Sequence, residues 1–233
     1  MNRLARSRPA RLLGALLLLA ALTGGAYYAG FSRGREVALA APAAPGARPL
    51  GEQARREASD PFALGNVDAP VALVVFSDYR CPFCARYSQA TEPELVARYV
   101  DAGKLRIEWR DFPIFGDASL LAARAGRAAA AQGKFWEFNR AVYAAAPASG
   151  HHDLTEAKLR AFAQQVGVAD LARFEREIAD ETHDAAIARD FQQARGLGVT
   201  GTPSFVIGGR PLVGAQPTEV FVRLIDEALM AAD

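Results

Sequence analysis

The sequence predicts an α/β fold whose elements run β-α-β, then a helical block, then β-β-α. Three observations carry that expectation. Residues 71–76, Val-Ala-Leu-Val-Val-Phe, form an unbroken apolar run of the kind found in strands buried on both faces. Residues 104–110, Lys-Leu-Arg-Ile-Glu-Trp-Arg, alternate with period two and read as a second strand. Ser204–Ile207 and Arg210–Val213 flank Gly208-Gly209, a two-residue turn that suits an antiparallel hairpin.

In chain order, residues 12–31 come first, 20 positions without a formal charge. As a helix they would span ~30 Å, enough to cross the hydrocarbon core of a bilayer. Arg3, Arg6, Arg8 and Arg11 precede this run and only Arg33 and Arg35 follow closely, so the amino terminus is expected in the cytoplasm and the rest outside. Residues 1–35 are therefore expected to be a transmembrane anchor or a signal segment. Ala38-Leu39-Ala40 offers a small-x-small cleavage site, whereas Tyr27, Tyr28 and Phe31 look like the interfacial anchors of a retained helix. Pro42, Pro45 and Pro49 make residues 36–60 a polar, weakly structured tether, which leaves 61–233 as the folded domain.

Within that domain a helix is expected from residue 85 to about 100, with Pro93 making a kink or a break. The strand–helix–strand order argues for a parallel pair joined by a crossover. Residues 117–195 turn helical. Leu159, Phe162, Ala163 and Val166 fall at helical spacing with Asp153 and Glu156 as a capping pair, and Leu171, Phe174 and Ile178 mark another helix. Phe135, Trp136 and Phe138 read as core packing. Residues 218–230 form a last amphipathic helix.

Composition narrows the chemistry. Apolar residues are 51% of the 233 and charged ones 23%, so a packed core is attainable and wholesale disorder is excluded. Two cysteines exclude a disulfide-rich scaffold and any site needing four thiolates. Residues 1–35 hold six arginines and no acid, leaving 21 basic against 26 acidic groups in the rest. Such a mildly acidic body is a poor nucleic-acid binder.

Cys81-Pro82-Phe83-Cys84 follows the first strand directly and opens the helix. A helix start leaves unpaired N–H groups and the positive end of the dipole facing Cys81, and both favour thiolate over thiol. A thiolate there can attack a disulfide, while Cys84, one turn on, resolves the mixed species. Pro82 suits the first helical turn. A purely stabilising bridge fits less well, because so short a loop restrains the unfolded chain by only ~2 kcal/mol. A zinc site would need two more ligands, and His151, His152 and His183 do not form an evident set; no metal and no cofactor is expected. Haem attachment needs a histidine where Ala85 stands. Gly196-Leu197-Gly198-Val199-Thr200-Gly201 matches a dinucleotide-binding pattern, but a helix precedes it and a strand follows, the reverse of what that pattern requires.

Taken with the element order, residues 76–84, Phe-Ser-Asp-Tyr-Arg-Cys-Pro-Phe-Cys, and 199–205, Val-Thr-Gly-Thr-Pro-Ser-Phe, make the chain resemble the DsbA-like branch of the thioredoxin superfamily over about 62–233. The resemblance implies a thioredoxin fold whose helical block is an insertion covering the active site. It implies that Cys81 is the exposed nucleophile and Cys84 the resolving thiol. Pro203 would be a cis-proline beside them, with the Thr202 backbone pairing to an extended substrate segment and Pro82 and Phe83 also meeting substrate. The chain departs from many relatives at Val75, where they carry a buried acid six residues before the first cysteine; water or another acid such as Asp78 would have to take over. Pro82-Phe83 also lacks the histidine of the family's strongest oxidants.

The leading expectation is an extracytoplasmic dithiol oxidase that takes electrons from unfolded or reduced exported proteins and is reset by a membrane redox partner. The alternatives are an anchored reductase or isomerase, towards which Thr202 leans by resemblance, and an anchored binding module or chaperone whose cysteines are incidental.

Overall fold

A computed structural model describes residues 50–232. The expected anchor or signal segment and the first part of the expected tether lie outside the described residues. Among the described residues no helix is long and apolar enough to cross a membrane. Five strands form one sheet in the order β1-β3-β2-β4-β5: β1 Ala63–Leu64, β2 Val71–Ser77, β3 Leu105–Asp111, β4 Ser204–Ile207 and β5 Arg210–Val213. β2 and β3 run parallel and every other neighbouring pair is antiparallel. All seven residues of β2 are buried, as an unbroken apolar run requires of a central strand. Gly208 and Gly209 have φ of 52° and 82°, the left-handed backbone that a tight hairpin turn demands and that glycine adopts freely. The two-residue edge strand β1 carries no sequence signal.

The crossover from β2 to β3 is one helical rod. It begins as α1, Pro82–Arg86, widens into a π-helical turn at Tyr87–Thr91, resumes as α2, Glu92–Leu95, and widens again at Val96–Val100. The kink or break expected at Pro93 is instead absorbed by these wider turns, which accommodate the proline's missing N–H without ending the rod. The helical insertion follows as α3 Asp117–Ala130, α4 Phe135–Ala144, α5 Glu156–Gln165, α6 Leu171–Ala179 and α7 Asp184–Gly196, and the chain closes with α8, Thr218–Ala232. The cap of α5 corrects the expected Asp153–Glu156 pair. Thr155 is the N-cap and accepts from the Lys158 N–H, while Asp153 takes the Lys158 ammonium at 2.8 Å.

The two faces of the sheet bury different chemistry. Val71, Leu73, Val75, Leu105, Ile107 and Trp109 belong to the large core beneath the rod, α8 and the insertion. Val74, Phe76 and Val206 pack with Phe112, Phe191 and Ala194 on the opposite face. That second face also holds Arg106, Glu108 and Arg110, all buried, which satisfy one another: Glu108 meets Arg106 Nε at 2.7 Å and Arg110 Nη2 at 2.6 Å. The Glu108 carboxylate further accepts from the backbone N–H of Arg55 at 2.8 Å and of Arg56 at 3.0 Å. Leu50 N–H donates to the Gly209 carbonyl at 2.8 Å. Residues 50–60, expected as part of a loose tether, have no helix or strand, yet they are tied to the domain. The reason is the buried carboxylate, which needs more donors than its own strand supplies.

Candidate active site

Cys81 occupies the N-cap of α1, with φ −76° and ψ 120°, and Pro82 stands at the first helical position where a missing N–H costs nothing. In the thiol form its Sγ–H donates to the Thr202 carbonyl at 3.3 Å. The Thr202 hydroxyl oxygen is buried without a hydrogen-bond partner while the sulfur is a thiol, and it is among the groups that stabilise the thiolate. The Cys84 thiol, this hydroxyl and the N–H groups of Cys84 and Phe83 all favour the Cys81 thiolate. Of these the Cys84 thiol acts most strongly, and together they overcome burial to bring the Cys81 pKa down to about 6. Cys84 is the opposite case. Burial, then the hydrogen bond and charge of Cys81, push its pKa up, opposed by the Asp78 N–H and the Ser77 hydroxyl. Neither sulfur is bridged in this structure.

The sequence-selected residues converge. The Thr202–Pro203 peptide bond is cis, and it sits directly before β4 with Thr202 against Cys81. Phe83 is 51% exposed at the rim, and Arg86 lies over its ring at 5.2 Å. One expectation fails in detail: Cys81 is not exposed but only 2% accessible. The Thr202 segment closes against the sulfur. Gly196 ends α7 and Gly198 has φ 76°, so the glycine-rich stretch serves as a helix stop leading into this segment.

A thioredoxin family model matches residues 57–227. The chain belongs to the DsbA-like branch of the thioredoxin superfamily. It is 31% identical over 150 residues to the probable disulfide bond formation protein D of Bacillus cereus, covering 63% of this chain and 69% of that protein. Among solved structures, a thioredoxin-like oxidoreductase from Silicibacter pomeroyi is 34% identical, covers 71% of this chain and 90% of its own, and superposes with a TM-score of 0.61. Oxidised BdbD from Bacillus subtilis, at 21% identity, 74% and 94% coverage and a TM-score of 0.69, shares the fold. A sodium/proton antiporter of Salinispora tropica also matches at 33% identity over 72% of this chain, but over only 24% of its own length. The activity class of the DsbA-like chain is that of a protein-disulfide oxidoreductase.

Against this family background the site has its own details. Val75 is fully buried between Phe205 of β4 and Trp109 of β3, in an apolar setting. The buried Asp78 carboxylate accepts from Arg80 N–H at 2.8 Å, Ile114 N–H at 2.8 Å and Ser119 Oγ at 2.9 Å, and burial outweighs these donors to raise its pKa. Sequence reasoning missed several residues that hold the rim. Arg80 donates to the His152 carbonyl at 2.9 Å and to the Phe115 carbonyl at 2.6 Å, and His151 lies on the Phe115 ring at 4.2 Å. Two of the histidines weighed as metal ligands are thus rim residues of the insertion. No group of three or more His, Cys, Asp or Glu suited to a metal occurs among the described residues. Only the adjacency of Arg80 to Cys81 was a local signal; its partners lie 35 and 72 positions away.

Proposed function

We propose that this protein acts outside the cytoplasm as a dithiol oxidase, with Cys81 the nucleophile and Cys84 the resolving thiol. The observation that carries the reading is the opposed tuning of the two sulfurs. With a pKa of about 6, Cys81 is roughly nine-tenths thiolate at pH 7, while Cys84 stays a thiol. Whatever stabilises the Cys81 thiolate stabilises the reduced protein, which makes the oxidised protein the stronger electron acceptor; roughly 30 mV corresponds to 1.4 kcal/mol. The Bacillus cereus relative, a probable disulfide bond formation protein, points the same way.

The substrates are unfolded or reduced exported proteins. An extended substrate segment pairs with the Thr202 backbone and lies against Pro203, Pro82 and the exposed ring of Phe83. The six arginines and no acids of residues 1–35 support an export signal or a single-pass anchor, and a membrane redox partner restores the disulfide. Alkylation trapping of the native thiol state in cells tests the direction of electron flow. A pair held mostly as disulfide supports the oxidase. A pair held mostly as dithiol overturns it in favour of a reductase.

A further inference from the structure

Arg80 stands one residue before Cys81, half-buried and without an acidic partner. Its Nε and Nη1 donate to the carbonyls of His152 and Phe115 at 2.9 and 2.6 Å, which fixes the guanidinium against the insertion. Nη2 has no acceptor among the described residues and is not one of their buried unpartnered atoms, so it is open to solvent. The neighbouring acids are engaged elsewhere. Asp78 accepts the Arg80 backbone N–H at 2.8 Å and Ser119 Oγ at 2.9 Å, and Asp153 takes the Lys158 ammonium at 2.8 Å. Arg86, at the end of α1, likewise has no ion pair among the described residues, and its guanidinium lies over the exposed Phe83 ring at 5.2 Å. Arg176, Arg189, Arg195 and Arg223 also lack ion pairs there but are exposed; Arg80 differs in being half-buried. Partial burial of a guanidinium costs free energy, and neutral carbonyls satisfy its N–H groups without neutralising its charge.

We infer that Arg80 and Arg86 make the rim around Cys81 selective for substrate cysteines that have an acidic side chain beside them, with the substrate carboxylate meeting the open Nη2 of Arg80. This rests on the reading of Cys81 as the sulfur that substrate attacks. A carboxylate there supplies the counter-charge that Arg80 lacks, and the two carbonyls hold the guanidinium ready for it, so little side-chain freedom is lost on contact. Arg86 adds a second positive charge beside Phe83, where the substrate also meets an apolar ring. The two arginines stand out from their surroundings, because acids outnumber bases by 26 to 21 outside residues 1–35. A local positive field of this kind draws acidic segments in and turns basic ones away, which discriminates between substrates more than it raises affinity overall.

The exchange itself is unaltered. A substrate thiolate attacks Sγ of Cys81, a bond forms between those sulfurs, the Cys81–Cys84 bond breaks, and its electron pair leaves on Cys84. The second substrate thiolate attacks the substrate sulfur of the mixed disulfide, and that electron pair leaves on Cys81. Two substrate thiols become one disulfide, their two electrons reduce the cysteine pair, one proton ends on Cys84 and the other goes to solvent. Arg80 and Arg86 exchange neither protons nor electrons. They determine which segments bring a thiolate to Cys81.

The test uses the full chain in its disulfide form and reduced peptides of two cysteines, alike except that Glu, Gln or Lys flanks the attacking cysteine. Acid quench and mass spectrometry give kcat/KM at pH 7. Each value is divided by the same peptide's rate with hydroxyethyl disulfide, a neutral oxidant, which removes the effect of the flanking charge on the thiol itself. The Glu peptide is expected to exceed the Gln peptide by about fivefold, with the Lys peptide below both. The preference narrows as salt rises from about 0.02 to about 0.5 M. Arg80→Gln brings the Glu-to-Gln ratio close to one, and Arg86→Gln lowers it by less. Loosening of the rim in Arg80→Gln slows all three peptides alike and leaves that ratio unmoved, so a purely structural role for Arg80 is told apart. No preference in the wild type, or a ratio unchanged in both variants, overturns the inference. Should Arg80→Gln fail to fold by circular dichroism, Arg86→Gln decides: a lowered ratio supports the cationic rim and an unchanged one overturns it. A wild-type disulfide that takes electrons from none of the peptides sinks the underlying reading instead.

Discussion

At the scale of single residues the site depends on positions that sequence places close together and on others that it does not. Cys81 is legible because its chemistry is local: a strand end, a proline at the first helical position and a second sulfur one turn on. Ser77 and Tyr143 are not legible, since their hydroxyls meet across 66 positions and neither looks unusual in its own segment. Gly126 is another silent position. In most helix interiors Gly→Ala gains up to ~1 kcal/mol. Here a Cβ would lie 2.5 Å from the Tyr79 hydroxyl and 3.0 Å from two of its ring atoms, and Tyr79 is buried against Tyr143 and Trp109. Gly126→Ala is therefore expected to destabilise the protein by about 1–3 kcal/mol through overpacking. Thermal unfolding checks this, and a higher melting temperature would contradict the packing described.

At the scale of elements, the period-two pattern of residues 104–110 identifies β3 but conceals what its polar face does. Alternation ordinarily means one face in water. In this fold Arg106, Glu108 and Arg110 are covered, in part by α7, whose Gln193 accepts from Arg110 Nε at 3.3 Å, and in part by the irregular segment whose Arg55 and Arg56 N–H groups close on Glu108. No local propensity reveals such a segment, because its order comes from a carboxylate 52 and 53 positions away. Burial pushes the Glu108 pKa up, but the hydrogen bonds of Arg106, the Arg55 backbone and Arg110 bring it down to about 2. A carboxyl lowered in this way contributes stability that is present above its ordinary value of 4.5 and lost as pH falls through about 2. Glu108→Gln is expected to cost about 3–5 kcal/mol by leaving two buried guanidinium groups unpaired. Amide exchange of residues 50–60 is expected to rise with it; unchanged protection there would show that the segment is held by something else.

At the scale of the whole molecule, the element order and two short motifs were enough to place the chain in its family, and the five-stranded sheet with helices on both faces bears that out. The β-β-α end was readable because paired glycines and a final amphipathic run are local signals. The way the insertion's loops reach the rim through Arg80, Phe115 and His151 was not, because each contact joins separate elements. The tuning of Cys81 gives the reduced protein a pH-dependent stability. Its folded pKa of about 6 lies below the ordinary value of 9.0, so its contribution is complete above 9.0 and disappears as pH falls through about 6. Unfolding of the reduced protein in denaturant should therefore show stability rising between pH 6 and 9 relative to the Cys81→Ala variant. Parallel curves would deny the thiolate any part in holding the reduced state. The most direct measurement is the rate of iodoacetamide alkylation at Cys81 as a function of pH, in the wild type and in Cys84→Ala. A midpoint near pH 6 is expected, moving upward when the Cys84 thiol, the largest contributor, is removed. A wild-type midpoint near 9.0, the same in both proteins, would contradict it.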